Sequence, residues 1–147
     1  MKYKSLLKKN EHSFFIIPLY AQHKKMKRIW TILRLLLALF MIYAGIQHFI
    51  KPTFFIAFVP DFLIYKSLII YASGVLETAL GILLLIPKYA GKAATGIFIL
   101  MILFLPIHIW DVFSETPAIG SHQAAVIRLP IQFVLIALAY KLEKIKA

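Results

Sequence analysis

The sequence is marked first by what it lacks. It contains no cysteine, which excludes disulfide bonds, thiolate metal sites, iron–sulfur ligation and dithiol redox chemistry. Acidic residues are few, because 6 Asp and Glu stand against 17 Lys and Arg, and the formal net charge is +11. None of the basic segments resembles a nucleic-acid recognition motif, so we expect no nucleic-acid partner. We also predict no metal site.

Apolar residues, in contrast, are abundant. Hydrophobic side chains make up 61% of the 147 residues, and the mean hydropathy is +0.82. An ordinary soluble domain is about 45–50% apolar, so its surface could not hide such an excess. The length fits one domain, and the composition excludes both a soluble globule and a disordered chain.

The apolar residues fall into four runs, each long enough to cross a bilayer, which requires about 20 residues. A helix satisfies its own backbone hydrogen bonds in lipid, and no Asn-Gly hairpin signal separates the runs. We therefore predict an all-α integral membrane protein, a four-helix bundle with a short outer interfacial helix. The predicted spans are 29–50, 67–87, 90–112 and 124–141.

The basic residues are distributed unevenly around these spans. Residues 1–28 hold eight of them, the turn between the second and third spans holds Lys88 and Lys92, and Lys141, Lys144 and Lys146 follow the fourth span. All thirteen fall on one side of a chain that crosses four times. By the positive-inside rule this side is cytoplasmic, which predicts a multi-pass protein of the cell (inner) membrane with both termini inside. The excess charge would then also attract anionic lipid of the bilayer.

The first 28 residues form a basic arm that precedes the four-span domain, 29–147. The apolar part of the arm, 14–21, is too short to span a bilayer and contains Pro18. The arm also lacks the small-residue cleavage site of a signal peptide. Two interpretations are open: the arm lies in the membrane interface, or translation begins at Met26.

Residues 51–66 link the first two spans and are too apolar for a solvated loop, with five aromatic side chains between and beyond two prolines. Pro52 suits the first turn of a short helix, and Pro60 would end it. We expect this helix to fold over the outer mouth of the bundle. It would serve either as an aromatic anchor in the interface or as a lid over a ligand cavity.

Polar residues inside the spans are the candidate functional residues, because ionisable groups there are costly and usually face the bundle interior. Arg34, Glu77 and Arg128 are the deepest ionisable ones. Helical periodicity places each on a stripe with other polar or small residues. The candidate catalytic residues are Glu77 and Arg128, and the candidate cofactor-binding residues are Arg34, His48, His108 and Gln132.

Glu77 needs a partner in the membrane or must stay protonated. We expect Arg128 to reach it from the outer side and Arg34 from the cytoplasmic side. Pro106 and Pro130 each free a helical carbonyl in the outer half, and such irregular backbone is tolerated where it lines a cavity. The sequence thus predicts a polar pocket in the outer half, or else a structural network that fixes helix register. The pocket residues would be His48, Glu77, His108, Arg128 and Gln132.

Four sequence runs resemble the DoxX-like family of small four-helix membrane proteins. They are AGIQHFIKPTFFIAFVP, SGVLETALGILLLIPKYAGKAATG, FLPIHI and RLPIQF, and the similarity extends over 29–141. The matching positions are Arg34, Gly45, His48, Phe49, Pro52, Pro60, Gly74, Glu77, Pro87, Pro106, Arg128, Pro130 and Gln132. The chain has His108 where family members usually have asparagine.

The resemblance implies a membrane location and, less specifically, a redox function, because some relatives are the membrane subunit of a thiosulfate:quinone oxidoreductase. On this hypothesis Arg128, His108 and Gln132 donate hydrogen bonds to a quinone, and Glu77 carries a proton. Electrons would come from a soluble redox partner or a second membrane subunit. Two alternatives are a carrier or binding protein for a small amphipathic molecule or lipid, and a structural anchor for a membrane complex. A homo-oligomer through the small residues of the second span is also open.

Overall fold

A computed structural model describes residues 2–145, with side-chain surroundings from residue 25 onward. The chain divides at Leu33/Arg34 into two units. Residues 2–33 are the N-terminal part of one long helix, and their basic side chains up to Lys24 lie outside the described ones. The interface interpretation of the arm, and the position of Lys146, therefore concern groups beyond the described part.

The described residues form helices and turns, without a strand, which confirms the all-α prediction. Helix α1 covers Lys2–Ile50, α2 Pro52–Ile56, α3 Lys66–Leu85, α4 Ala90–Phe113 and α5 His122–Lys144, with a 3₁₀ turn at Pro87–Tyr89. Four segments are long and apolar enough to cross a membrane: Lys25–Ile50, Lys66–Leu85, Pro87–Phe113 and His122–Lys144. The chain is thus a multi-pass membrane protein, and its spans match the four apolar runs of the sequence.

Local sequence signals explain where the helices begin and end. Helix α2 starts at Pro52, whose missing N–H costs nothing in a first turn. It ends at Ile56, and the backbone then turns at residues 57–59, before Pro60. Helix α3 ends just before Pro87, and the Ser121 hydroxyl caps α5 by accepting a hydrogen bond from Ala124 N–H at 3.2 Å. The short second helix predicted from the sequence is therefore present.

Helices α1 and α3 pack closely through small residues. A Cβ atom on Gly74 would lie 2.9 Å from the Gly45 carbonyl oxygen, and one on Gly81 would lie 2.9 Å from the Ala38 carbonyl oxygen. Small residues permit this approach where lipid supplies no hydrophobic force between helices. The small-residue face of α3 thus packs within the bundle of a single chain.

Helices α4 and α5 pack against each other more extensively than α4 packs against α3. Each contains a proline, Pro106 in α4 and Pro130 in α5, and both helices continue through it. The Gln132 side-chain amide donates a 2.7 Å hydrogen bond to the Met101 carbonyl, five residues before Pro106. A buried amide of α5 therefore binds the backbone of α4 beside the proline.

Candidate functional site

A cavity of about 220 Å³ lies inside the bundle of residues 34–145. Its lining comes from the C-terminal ends of α1 and α4, the N-terminal halves of α3 and α5, and the α1–α3 link. The cavity is therefore at the end of the bundle that carries this link. Apolar side chains form most of the wall, and the polar ones are His48, Ser73, Glu77, His108, Arg128 and Gln132.

Helices α1 and α3 bring together a buried histidine and a buried glutamate. His48 Nε2 lies 3.4 Å from Glu77 Oε1, and the two residues are 8% and 4% exposed. The other ring nitrogen of His48, Nδ1, lies 3.2 Å from the Ser73 hydroxyl. The Ser73 hydroxyl in turn donates a 2.8 Å hydrogen bond to the Ile70 carbonyl of the preceding turn. Both nitrogens of His48 thus face polar groups of α3.

The α1–α3 link places two aromatic rings on the polar groups of the cavity. Phe55, in α2, stacks on the His48 ring at a centroid distance of 3.9 Å. The Phe58 ring lies 4.2 Å from the Arg128 guanidinium carbon, a cation–π contact that lowers the cost of a partly buried charge. Phe55 and Phe58 line the cavity, while Phe62 and Tyr65 are exposed. The link therefore covers the cavity with its first half and presents aromatic side chains outward with its second.

A second polar cluster joins α4, α5 and the segment between them. Asp111 is only 1% exposed, and its Oδ1 accepts a hydrogen bond from Ala118 N–H. Its Oδ2 lies 3.9 Å from Arg128 Nη1, and neither of these two buried atoms has a hydrogen-bond partner. His108 Nδ1, one turn before Asp111, is also buried without one. This cluster holds unused hydrogen-bonding capacity beside the cavity.

The structure brings together all five residues predicted to bound the pocket, but with different partners. Glu77 contacts His48 directly, whereas Arg128 pairs with Asp111. The direct pair of Glu77 with Arg128 that the sequence predicts is therefore wrong, because each side chain has a different partner. The reason is that Phe58 and Asp111 hold the guanidinium at the α4–α5 side of the cavity.

Arg34 is the one candidate that does not line the cavity. It is half-buried on α1, and its Nε has no hydrogen-bond partner. Fourteen positions separate it from His48 on the same helix, about 21 Å at 1.5 Å per residue. Arg34 therefore lies apart from the cavity, and no ion pair within 4 Å joins it to Glu77 among the described residues. Its role in binding a cofactor stays a prediction.

Three features of the site have no counterpart among the sequence predictions. They are the Ser73–His48 contact, the aromatic ring of Phe58 on Arg128, and the burial of Asp111 under Ala118 N–H. The first had a usable signal, because Ser73 precedes Glu77 by four residues and so shares its helix face. The other two depend on how the links fold back, which helical periodicity does not encode.

A groove outside the bundle core carries an exposed ion pair. Lys66 Nζ lies 2.6 Å from Asp61 Oδ1, and the Asp61 side chain is fully exposed. The hydrogen bond and the positive charge of Lys66 hold the pKa of Asp61 below its usual range. Salt screens such exposed pairs, so this one adds little to stability.

Side chains described from residue 25 onward contain no cluster of three or more metal-binding groups. In comparisons with known proteins, the family described as Domain of unknown function (DUF8561) matches residues 37–143. This range includes the C-terminal part of α1, all of α2, α3 and α4, nearly all of α5 and every polar residue of the cavity. No curated protein and no solved structure matches the chain.

Proposed function

The chain belongs to the DUF8561 family of domains of unknown function, and we propose that it binds the headgroup of a quinone in the membrane. In this proposal it is the membrane subunit of a quinone-linked oxidoreductase. The observation that carries the proposal is an apolar cavity lined by Arg128 and His108, each of which has a buried nitrogen without a hydrogen-bond partner.

The chemistry of the cavity suits a flat apolar ring with two hydrogen-bond acceptors. Binding sites of this kind combine apolar walls with a few placed polar groups. A ligand oxygen that accepts from the Arg128 guanidinium would gain about 1.5–3 kcal/mol, the usual contribution of a hydrogen bond to a charged group. Quinone carbonyl oxygens are such acceptors, and Phe55 supplies an aromatic wall.

The size of the cavity favours a headgroup over a whole lipid. At about 220 Å³ it is smaller than the roughly 300–1,000 Å³ of pockets that enclose drug-sized ligands. A single substituted ring fits this volume, and an isoprenoid tail would then extend between helices into the bilayer. The small volume argues against a carrier that encloses a complete amphipathic molecule.

The oxidoreductase part of the proposal requires a partner. Reduction of a quinone to a quinol takes two electrons and two protons, and no cofactor-binding motif appears in the sequence. A soluble redox protein or a second membrane subunit would supply the electrons. The resemblance to DoxX-like proteins, some of which are quinone-linked membrane subunits, supports this assignment.

We expect the purified protein in lipid nanodiscs to bind decylubiquinone, measured by isothermal titration calorimetry. Arg128→Lys should weaken binding about 10–100-fold, because hydrogen bonds to charged groups contribute about 1.5–3 kcal/mol. Glu77→Gln should also weaken it, because it removes the carboxyl group that would share a proton with a quinone oxygen. Lysine keeps the positive charge but loses the planar guanidinium that lies over Phe58. Leu103→Ala, on the exposed side of α4, is the matched control and should leave the affinity unchanged.

Binding that is absent in wild type, or equal in all four proteins, contradicts the quinone proposal. Copurified lipid together with transport in vesicles would instead identify a carrier. Loss of assembly with another membrane protein, without any ligand effect, would identify an anchor.

We further propose that the cavity lies in the outer half of the inner membrane, with both termini cytoplasmic. Lys88 and Lys92 lie at one end of the bundle, with Lys141 and Lys144 at the C-terminal end of α5, opposite the cavity. This excess of basic residues supports a cytoplasmic assignment for that end.

The absence of cysteine makes the orientation testable with single cysteines. In intact spheroplasts a membrane-impermeant maleimide should label Phe62→Cys, whose site is 80% exposed in the α1–α3 link, and should not label Lys88→Cys. After lysis both should react. Labelling of Lys88→Cys alone before lysis would mean the opposite orientation.

A further inference from the structure

The contact between Ser73 and His48 determines where the protons of the buried pair reside. A serine hydroxyl has a single hydrogen, and Ser73 uses it in the 2.8 Å bond to the Ile70 carbonyl. The Ser73 oxygen can therefore only accept from His48 Nδ1, which lies 3.2 Å away. It follows that Nδ1 of His48 carries a proton.

The contact with Glu77 then restricts the protonation of the second nitrogen of His48, Nε2. A bare Nε2 opposite a carboxylate would place two acceptors 3.4 Å apart and leave a buried negative charge. One proton between Nε2 and Oε1 removes both problems. It resides either on the ring, giving an ion pair, or on the carboxyl group, giving a neutral pair, and the net charge of the pair is zero in both forms.

Charged groups around the cavity bear on the release of this proton to a ligand. Release leaves one negative charge on Glu77, and Arg128 on α5 is a cation that lines the same cavity. His108 on α4 and Asp111, which already pairs with Arg128, are the other ionisable groups at this end. Both His48 and Glu77 line the cavity, so a ligand oxygen there can receive the proton.

We propose that His48 and Glu77 form a one-proton donor site facing the cavity, and that Ser73 is the positioning residue that fixes its tautomer. The inference rests on the proposed quinone function. When the redox partner delivers two electrons to the bound quinone, the pair gives its proton to one carbonyl oxygen. The bond from that proton to Oε1 or Nε2 breaks and the O–H bond of the quinol forms. A water molecule gives the second proton to the other oxygen and leaves as hydroxide to the solvent, and a further solvent proton restores the pair.

The tautomer can be measured without any ligand. In ¹⁵N-labelled protein in lipid bilayers, solid-state NMR distinguishes protonated from bare ring nitrogens, and His48→Gln identifies the His48 signals. We expect Nδ1 of His48 to be protonated in wild type and in Ser73→Thr, which keeps the hydroxyl. Ser73→Ala should give a mixture of tautomers, whereas Ser67→Ala, an exposed serine of α3, should match wild type.

Binding of decylubiquinone provides the second readout. Ser73→Ala should weaken it about 2–10-fold, as expected for one hydrogen bond, and Ser73→Thr should restore it. A bare Nδ1 on His48 in wild type overturns the donor site even if decylubiquinone binds. A protonated Nδ1 without any decylubiquinone binding overturns the quinone function, and donation to a quinone falls with it.

Discussion

Replacing Arg128 with leucine is expected to lower the free energy of unfolding by about 3–5 kcal/mol, the usual cost of removing one partner of a buried ion pair. Asp111 is 1% exposed and would lose the cation with which it pairs. Its bond from Ala118 N–H satisfies Oδ1 only, so Oδ2 would remain buried and unpaired. The loss of the contact with the Phe58 ring adds to the effect.

The measurement is equilibrium unfolding by SDS in mixed micelles, followed by circular dichroism. The double variant Asp111→Asn, Arg128→Gln removes both charges and should recover most of the lost stability, because no isolated charge is left. Lys66→Gln breaks the exposed pair with Asp61 and should leave the unfolding curve unchanged. Equal curves for Arg128→Leu and Lys66→Gln would show that Asp111 is not held by Arg128.

The four spans are predictable from sequence because the bilayer imposes a simple rule. Each apolar run must satisfy its own backbone, so length and composition nearly determine a helix. Two helix termini follow equally local signals. The C-terminus of α3 precedes Pro87, and the N-terminus of α5 is capped by the hydroxyl of Ser121. Only the short helix in the α1–α3 link ends earlier than its proline suggests, at Ile56.

The composition of the candidate site is predictable for a related reason. Burying a polar side chain in lipid is costly, so His48, Glu77 and Gln132 must face the bundle interior. Periodicity gives the face and the distance from the helix end gives the depth, which is sufficient to bring residues to one cavity. Arg34 does not reach this cavity because of its depth, since it lies about four turns from His48 on α1.

The pairing within the site is not predictable in this way. Whether Glu77 contacts His48 or Arg128 depends on helix rotation and on side-chain rotamers. Shifts of a few ångströms in the positions of these side chains are enough to change the partner. Two elements outside the spans decide it here: Phe58 in the link holds Arg128, and Ala118 in the α4–α5 connection anchors Asp111. Neither contact has a periodic signal, because both links are irregular.

The close packing of α1 against α3 leads to the second large expected effect. Gly74→Ala should lower the free energy of unfolding by about 1–3 kcal/mol, the typical cost of overpacking. The added Cβ would lie 2.7 Å from His48 Cβ and 2.9 Å from the Gly45 carbonyl oxygen. Both are at or next to the backbone of α1, so the helices must separate rather than let a flexible side chain move.

Gly91→Ala is the matched control, with the same added methyl group in another helix of the bundle. There the nearest atom is the Glu143 carbonyl oxygen at 4.0 Å, an ordinary contact. Alanine should be neutral or stabilising by up to about 1 kcal/mol, because it is the better helix former. Unfolding by SDS should thus shift in opposite directions for the two variants, and a shift in the same direction would contradict the close α1–α3 contact.

The same substitution also tests how packing supports the site. Gly74 touches His48, and Ser73 and Glu77 are on the same helix, so a separation of α1 from α3 lengthens both contacts of the imidazole ring. Gly74→Ala should therefore give mixed His48 tautomers in the NMR experiment although every polar group of the site is intact. Gly91→Ala should retain the protonated Nδ1. If Gly74→Ala retains it as well, then Ser73 holds the ring independently of the helix contact, and the donor site does not depend on the glycine that lets α1 and α3 meet.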